Sequence, residues 1–379
     1  MKIIIAADSF KGSLSAGEAC SIIARQAERV FPQAEIVQLP ISDGGEGLVE
    51  VVFSARGGER KIVHTSDPLG REISVSYLQL ADGSALIEMA GAGGLTLLNP
   101  REYDPLRTST FGVGLMILDA ILAGANPIYV GLGGSATVDG GTGAATALGM
   151  RFLDDQGEKV SSGGGLGKIQ NLDISGLREL NYSGKLIFLT DVNNPLCGPS
   201  GAAEVFGPQK GATREQVRQL DQGLQNLAEL IERETGSDLT EMPGIGAAGG
   251  FALPFAAFMG ADIHSGIDFV LDLLKFDEKL VGADLLITGE GRTDAQSAMG
   301  KAISALTRRA RGAGLRVVVI SGVIGEGAEK MLELGVDDLV QATPVGEPLE
   351  DALAHAAENL ATAAQNYLSG LRRELTKQP

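Results

Sequence analysis

Short, continuous aliphatic runs recur at both ends of this chain, and most give way to a polar loop and then to a helix-periodic segment. Runs of that length without polar alternation fit strands buried on both faces, and a helix between strands is the crossover that parallel pairing demands. Ile3 to Ala7 leads into Asp8, Ser9, Lys11 and Ser13, then into a helix with Ala19, Ile22, Ile23, Ala27 and Val30 on one face. Ser15 with Glu18 makes a capping box at its start. Glu35 to Leu39 leads into Ser42-Asp43-Gly44-Gly45-Glu46-Gly47 and a helical run through Val52. The pattern returns near Val281, with strands at Asp284 to Thr288, Val317 to Ile320 and Asp338 to Val340. A helix begins at about Ala302, and a terminal helix runs through Leu353, Leu360 and Leu368. Beginning and end therefore read as parts of one unit.

Between them the pattern changes. From Ile62 to Met89, alternating segments with turn signals at Pro68-Leu69-Gly70 and Asp82-Gly83 predict antiparallel hairpin strands. A helix through Leu115, Leu118 and Ile121 precedes strands at Ile128 to Leu132 and Lys185 to Leu189. Thr213 with Gln216 opens a helix carrying Val217, Leu220, Leu224, Leu227 and Ile231, with Gly236 as its stop signal. At 379 residues the chain exceeds what one core usually organises. The expected fold is two α/β domains. One is Rossmann-like, with a mainly parallel sheet built from both chain ends, residues 1–75 plus 275–379; the other is an inserted mixed-sheet α/β domain, residues 76–274.

Hydrophobic residues at 44% and charged residues at 21% supply globular cores rather than a disordered chain. No apolar stretch approaches the roughly 20 residues of a membrane helix, and Met1-Lys2-Ile3-Ile4-Ile5 enters a strand pattern rather than a signal peptide. Cys20 and Cys197 make neither a disulfide framework nor a metal-binding pair, which fits a reducing cytoplasm. The formal net charge of −17 repels polyanions, so neither nucleic acid nor an anionic membrane is an expected partner. A small anion instead needs a local cluster of cations, backbone N–H groups or metal. The 53 glycines, many in compact clusters, suit such backbone-lined loops.

Phosphate chemistry needs glycine-rich turns after strands, a few basic groups, and carboxylates for Mg²⁺ or for a proton. Thr288-Gly289-Glu290-Gly291-Arg292-Thr293-Asp294 follows a strand, with Gly300-Lys301 just beyond. N–H groups at Gly289 and Gly291 can cradle phosphate while Arg292 and Lys301 neutralise it. A Walker A motif is absent, since Ser162-Gly163-Gly164-Gly165-Leu166-Gly167-Lys168-Ile169 lacks the leading Gly and the closing Ser or Thr. Gly131-Leu132-Gly133-Gly134-Ser135-Ala136 matches a degenerate dinucleotide fingerprint, with Asp154 and Asp155 at the usual distance, so an NAD-dependent hydroxy-acid oxidoreductase is a rival reading. Asp191 stands at a strand end, and Lys210 follows in Phe206-Gly207-Pro208-Gln209-Lys210-Gly211; such a lysine is by default a solvated surface residue. His64, His264 and His355 show no metal spacing and receive no catalytic role.

Several strings, taken in order from residue 1 to about 325, resemble the type-1 glycerate kinase family. They are Asp8-Ser9-Phe10-Lys11-Gly12-Ser13-Leu14-Ser15-Ala16, Ser42-Asp43-Gly44-Gly45-Glu46-Gly47, Gly133-Gly134-Ser135-Ala136-Thr137, Asn194-Pro195-Leu196-Cys197-Gly198, Phe206 to Gly211, Gly246-Ala247-Ala248-Gly249-Gly250 and Ile287 to Asp294. The resemblance implies a cleft between the two domains as active site, ATP and Mg²⁺ as partners, and D-glycerate as acceptor, typically giving 2-phosphoglycerate. Departures replace polar residues of the family pattern at Ala92-Gly93-Gly94-Leu95, Gly114-Leu115-Met116 and Val138-Asp139-Gly140-Gly141, which motivates a second rival, a non-catalytic glycerate- or nucleotide-binding descendant.

In-line phosphoryl transfer leaves the protein mainly positioning and charge stabilisation. Lys11, Arg292 and Lys301 are the candidates for clamping phosphate or carboxylate, and Asp43, Glu290 and Asp294 for Mg²⁺ or its waters. Asp191 or Asp8 accepts the hydroxyl proton. Ser9, Ser13, Gly44, Gly45, Gly134, Ser135, Lys210, Gly289 and Gly291 complete the expected substrate- and phosphate-binding set. The oligomeric state is left open, a homodimer included.

Overall fold

The computed structural model describes residues 1–42, 44–45, 47–295, 297–298 and 302–376. In chain order the strands are β1 (Lys2–Ala7) and β2 (Glu35–Gln38), then β3 (Glu59–Ser66) and β4 (Glu72–Gln79), then β5 (Ala85–Glu88) and β6 (Ile128–Gly131). A small antiparallel pair, β7 (Arg151–Leu153) and β8 (Asn171–Asp173), precedes β9 (Leu186–Leu189) and β10 (Asp262–His264). The chain then forms β11 (Leu285–Gly289), β12 (Arg292–Thr293), β13 (Arg316–Ser321), β14 (Val323–Ile324) and β15 (Asp338–Gln341). Two compact units emerge: Met1–Asp43, Glu50–Ala55 and Ile267–Pro379 form one, Gly44–Val49 and Arg56–Gly266 the other.

The first unit is built on a five-stranded sheet in the order β15-β13-β11-β1-β2, every pairing parallel. Renumbered within the unit, that order is 2-1-3-4-5, the flavodoxin-like form of a doubly wound sheet. Ile3, Ile5 and Ala7 of β1 pack with Ile287, Val318 and Ile320 against two helices, Ala16–Val30 through Ala19, Ile23 and Ala27, and Ala356–Leu375 through Leu360, Ala364 and Leu368. Each such fully buried aliphatic side chain contributes roughly 1.5–3 kcal/mol. The Ser15–Glu18 capping box forms as expected. The single terminal helix expected from Leu353 to Leu368 is instead broken at His355, where ψ is 10°. The pieces follow different surroundings: Leu349–Ala354 has no buried residue, whereas Ala356–Leu375 buries Leu360, Ala363, Ala364, Leu368 and Leu371.

The second unit holds a six-stranded mixed sheet, order β10-β9-β6-β5-β4-β3, parallel from β5 through β10 and antiparallel across β3, β4 and β5. Its core gathers Ile87, Met116, Ile117, Val130 and Phe188 with Leu220, Leu224 and Leu227 of the helix Arg214–Thr235. Phe188, Phe251 and Phe255 form a cluster with ring centroids 5.4–5.5 Å apart. A boundary between residues 75 and 76 would cut through β4. The hairpin β3–β4 pairs through Leu78 and Gln79 with β5, so its hydrogen bonds tie it to the mixed sheet and the chain enters the second unit earlier than expected.

Candidate active site

In doubly wound sheets, ligands bind outside the carboxyl ends of the strands where the strand order reverses. Here that point lies between β1 and β11, which carry the first and last of the quoted strings. A cavity of about 400 Å³ opens there, lined by Asp8, Ser9, Phe10, Lys11 and Ser13 after β1 and by Glu290, Gly291, Arg292 and Asp294 after β11. Gly322 and Val323 after β13, and Ala342 and Thr343 after β15, complete the strand-end rim. Eight residues predicted from sequence thus share one wall system: Asp8, Ser9, Lys11, Ser13, Glu290, Gly291, Arg292 and Asp294.

Local hydrogen bonds hold this rim in place. Asp8 N–H donates to Gly289 O at 2.9 Å, and its carboxylate accepts from Ser9 N–H at 2.6 Å. The loop Phe10–Leu14 closes on itself, with Phe10 O accepting from Ser13 N–H (2.8 Å), Ser13 Oγ (2.9 Å) and Leu14 N–H (3.0 Å). Gly12 permits this tight turn because its φ is +83°, a value that costs other residues strain. Glu290 Oε1 accepts from Thr293 Oγ1 at 3.0 Å and Ser297 Oγ at 2.5 Å, so one carboxylate oxygen is fixed by two hydroxyls. Arg292, 64% exposed, lies 3.4 Å from the Asp294 carboxylate. Gly289, expected to cradle phosphate, is buried in β11: a Cβ there would sit 1.8 Å from Ile320 O, so its bareness serves strand packing. Asp43 and Lys301 lie outside the described residues.

The remaining predicted residues gather in the second unit. Gly44 and Gly45 pack on the strand-end loop after β6, where a Cβ on Gly131 would meet Gly44 O at 2.5 Å and one on Gly133 would meet Gly45 Cα at 2.3 Å. Gly134 adopts φ +75°, and its carbonyl accepts from Leu95 N–H at 3.0 Å. Asp191, beyond β9, accepts from Ser265 Oγ at 2.7 Å. Lys210 is not a solvated surface lysine. It is 1% exposed, and its Nζ donates to Ser135 Oγ at 2.8 Å and Thr137 O at 2.7 Å, bracing the glycine loop from within. Burial pulls its ammonium down to about 7, against the opposing pull of Asp139. Burial likewise raises Asp139, which accepts from Thr110 N–H and Oγ1, both at 2.8 Å.

The two rival readings lose their footing in this geometry. Asp154 caps its own turn, accepting from Gln156 and Glu158 N–H at 2.9 and 2.8 Å, and the helix after the Gly131 loop begins only at Thr142. Val138 is wholly buried in the core, a Cβ on Gly93 would meet Met89 Sδ at 2.8 Å and one on Gly94 would meet Ala90 O at 2.4 Å, so these departures are packing changes. Leu115 lines a separate, more open depression of about 630 Å³ with His64 and Phe111. Sequence reasoning missed the wall formed by Leu349, Ala352, Leu353, Ala356 and Asn359. The usable signal was the apolar spacing Leu349, Ala352, Leu353 just after the last strand.

Residues 3–372 match the glycerate kinase family model. A glycerate kinase of Bacillus subtilis is 41% identical over 374 residues, covering 98% of each chain. A glycerate 2-kinase of Escherichia coli is 38% identical over 373 residues, again 98% of each. A crystal structure described as that of a glycerate kinase 2 from Salmonella typhimurium LT2 superposes with a TM-score of 0.82 at 40% identity, over 99% of both chains. Matched from end to end in sequence and in backbone, this chain belongs to the glycerate kinase family.

Proposed function

We propose that this protein transfers the γ-phosphoryl group of ATP to a hydroxyl of D-glycerate, giving 2-phosphoglycerate and ADP in the cytoplasm. The observation that carries the reading is the switch-point cavity, where two cationic side chains and three carboxylates line one space in a chain that matches glycerate kinases throughout. Lys11 and Arg292, which both line that cavity, would neutralise phosphoryl oxygens as charge builds in the transition state. The closed Phe10–Leu14 turn pre-orients that loop, so little reorganisation accompanies the reaction.

The donor set suits Mg²⁺. Among the described residues no group of three or more His, Cys, Asp or Glu gathers closely enough to hold a metal unaided. Mg²⁺ characteristically takes one or two carboxylates and completes its octahedron with phosphate oxygens and water. Glu290 and Asp294 would hold it here, and Asp43, the third candidate from the sequence, lies outside the described residues; when bound, the ion offsets charge on the transferring phosphoryl group. Asp8 and Asp191 are the candidates for accepting the hydroxyl proton.

The test is ³¹P NMR of the protein with ATP, Mg²⁺ and D-glycerate, with authentic 2- and 3-phosphoglycerate added afterwards as markers. A glycerate-dependent phosphomonoester resonance coincident with 2-phosphoglycerate is expected. Coincidence with the 3-isomer would overturn the position of transfer, and no resonance from folded, ATP-binding protein would overturn the acceptor.

A further inference from the structure

We propose that the cavity of the parallel-sheet unit is the nucleotide subsite, with the polyphosphate at Lys11, Arg292 and the Phe10–Leu14 turn and the base against the wall of Leu349, Ala352 and Leu353. The assignment rests on the kinase reading and adds which substrate this cavity takes. Size decides first. Pockets of about 300–1,000 Å³ hold drug-sized ligands, and at about 400 Å³ this one is far larger than a three-carbon acid can fill.

Chemistry decides second. Glycerate is polar at every carbon and has no surface to cover an apolar wall, whereas a nucleotide is charged at one end and presents a flat, weakly polar ring at the other. The cavity has the same polarity. Its strand-end side carries Lys11 and Arg292, and its far side carries Leu349, Ala352, Leu353 and Ala356 with Asn359 as a polar group beside them. The helix Leu349–Ala354 buries nothing, and Leu349 and Leu353 remain 74% and 38% exposed. Residues 349, 352 and 353 share one helical face, and all three line the cavity. The two sides are contiguous, because the position of a Cβ on Gly12 lies 3.7 Å from Leu353 Cδ2.

Isothermal titration of the full-length protein with ADP and, separately, with pyrophosphate tests the assignment. ADP should bind at least ~10-fold more tightly than pyrophosphate, the margin expected from covering an apolar ring. In the Leu349→Ser, Leu353→Ser double variant, the Kd for ADP should rise by roughly that factor while pyrophosphate binding holds. Both leucines are exposed, and matching circular dichroism spectra confirm that the variant folds. Steady-state kinetics should split the same way, with KM rising for ATP and staying within ~2-fold for glycerate. Unchanged ADP affinity in the double variant, or a rise in KM for glycerate alone, would overturn the subsite. The titrations need no turnover. ADP binding that depends on this wall, in a protein that leaves glycerate unphosphorylated, would remove the kinase reading while keeping the subsite.

Discussion

A lysine amine with 1% exposure and two fixed acceptors is under a constraint that no surface lysine meets. Lys210 keeps its proton to about 7 when folded, against an ordinary 10.5. The unfolded chain binds the proton across that interval and the folded chain does not, so this group makes stability rise with pH between those two values. The Tm of wild type minus that of Lys210→Met should therefore grow from about pH 7 to about pH 9; a flat difference would remove the titration from that interval. The motif around Lys210 is local, but its burial is set by Ser135 and Thr137, far away in the chain, which is why sequence reasoning placed it in solvent. At the cavity, Lys11→Ala and Arg292→Ala should each lower kcat/KM by at least ~100-fold if they stabilise transition-state charge. Near-native kinetics in both would sink those roles. Of the proton-acceptor candidates, the true base is the one whose Asn substitution abolishes the acidic limb of the kcat/KM pH profile, and Asp8→Asn and Asp191→Asn separate them.

At the level of elements, crossovers and caps were legible because they are local. Ser15–Glu18 and Thr213–Gln216 both form the boxes their spacing announces, and the strands expected from aliphatic runs form within a residue or so of those runs, whereas the short β7, β8, β10, β12 and β14 were not expected. What local pattern cannot supply is a strand's neighbour. Gly289 shows the consequence: read as part of a phosphate turn, it lies inside β11 because β13 approaches so closely that Ile320 O would touch any Cβ. Gly289→Ala should accordingly destabilise the parallel sheet by at least ~1–3 kcal/mol through forced strand displacement. Urea denaturation followed by circular dichroism measures it, and an unchanged midpoint with unchanged slope would show that β11 and β13 can part without cost. The break at His355 was equally hidden, since the apolar positions on either side continue a helical period while facing different surroundings.

For the whole molecule, each unit has its own sheet and core. Among the described residues, the cluster around Phe188 and Leu224 draws on the stretch from Val63 to Ile263, and the cluster around Ile5 and Ile287 on the chain ends. The segment Arg56–Gly266 should therefore fold alone with a cooperative urea transition, and a broad, non-cooperative loss of signal would show that the mixed sheet depends on residues outside it. Periodicity, caps and motif order in the amino-acid sequence determined that this is an α/β chain of the glycerate kinase family, because each of those signals is written in neighbouring residues. Only the tertiary structure decided how the motifs divide: the first and last strings meet at one cavity because β11 inserts beside β1, while the glycine loops at 44 and 133 meet in the mixed-sheet unit. Strand order is chosen by the packing of surfaces distant in sequence, and the repeat of an apolar run says that a strand is buried without saying beside which one.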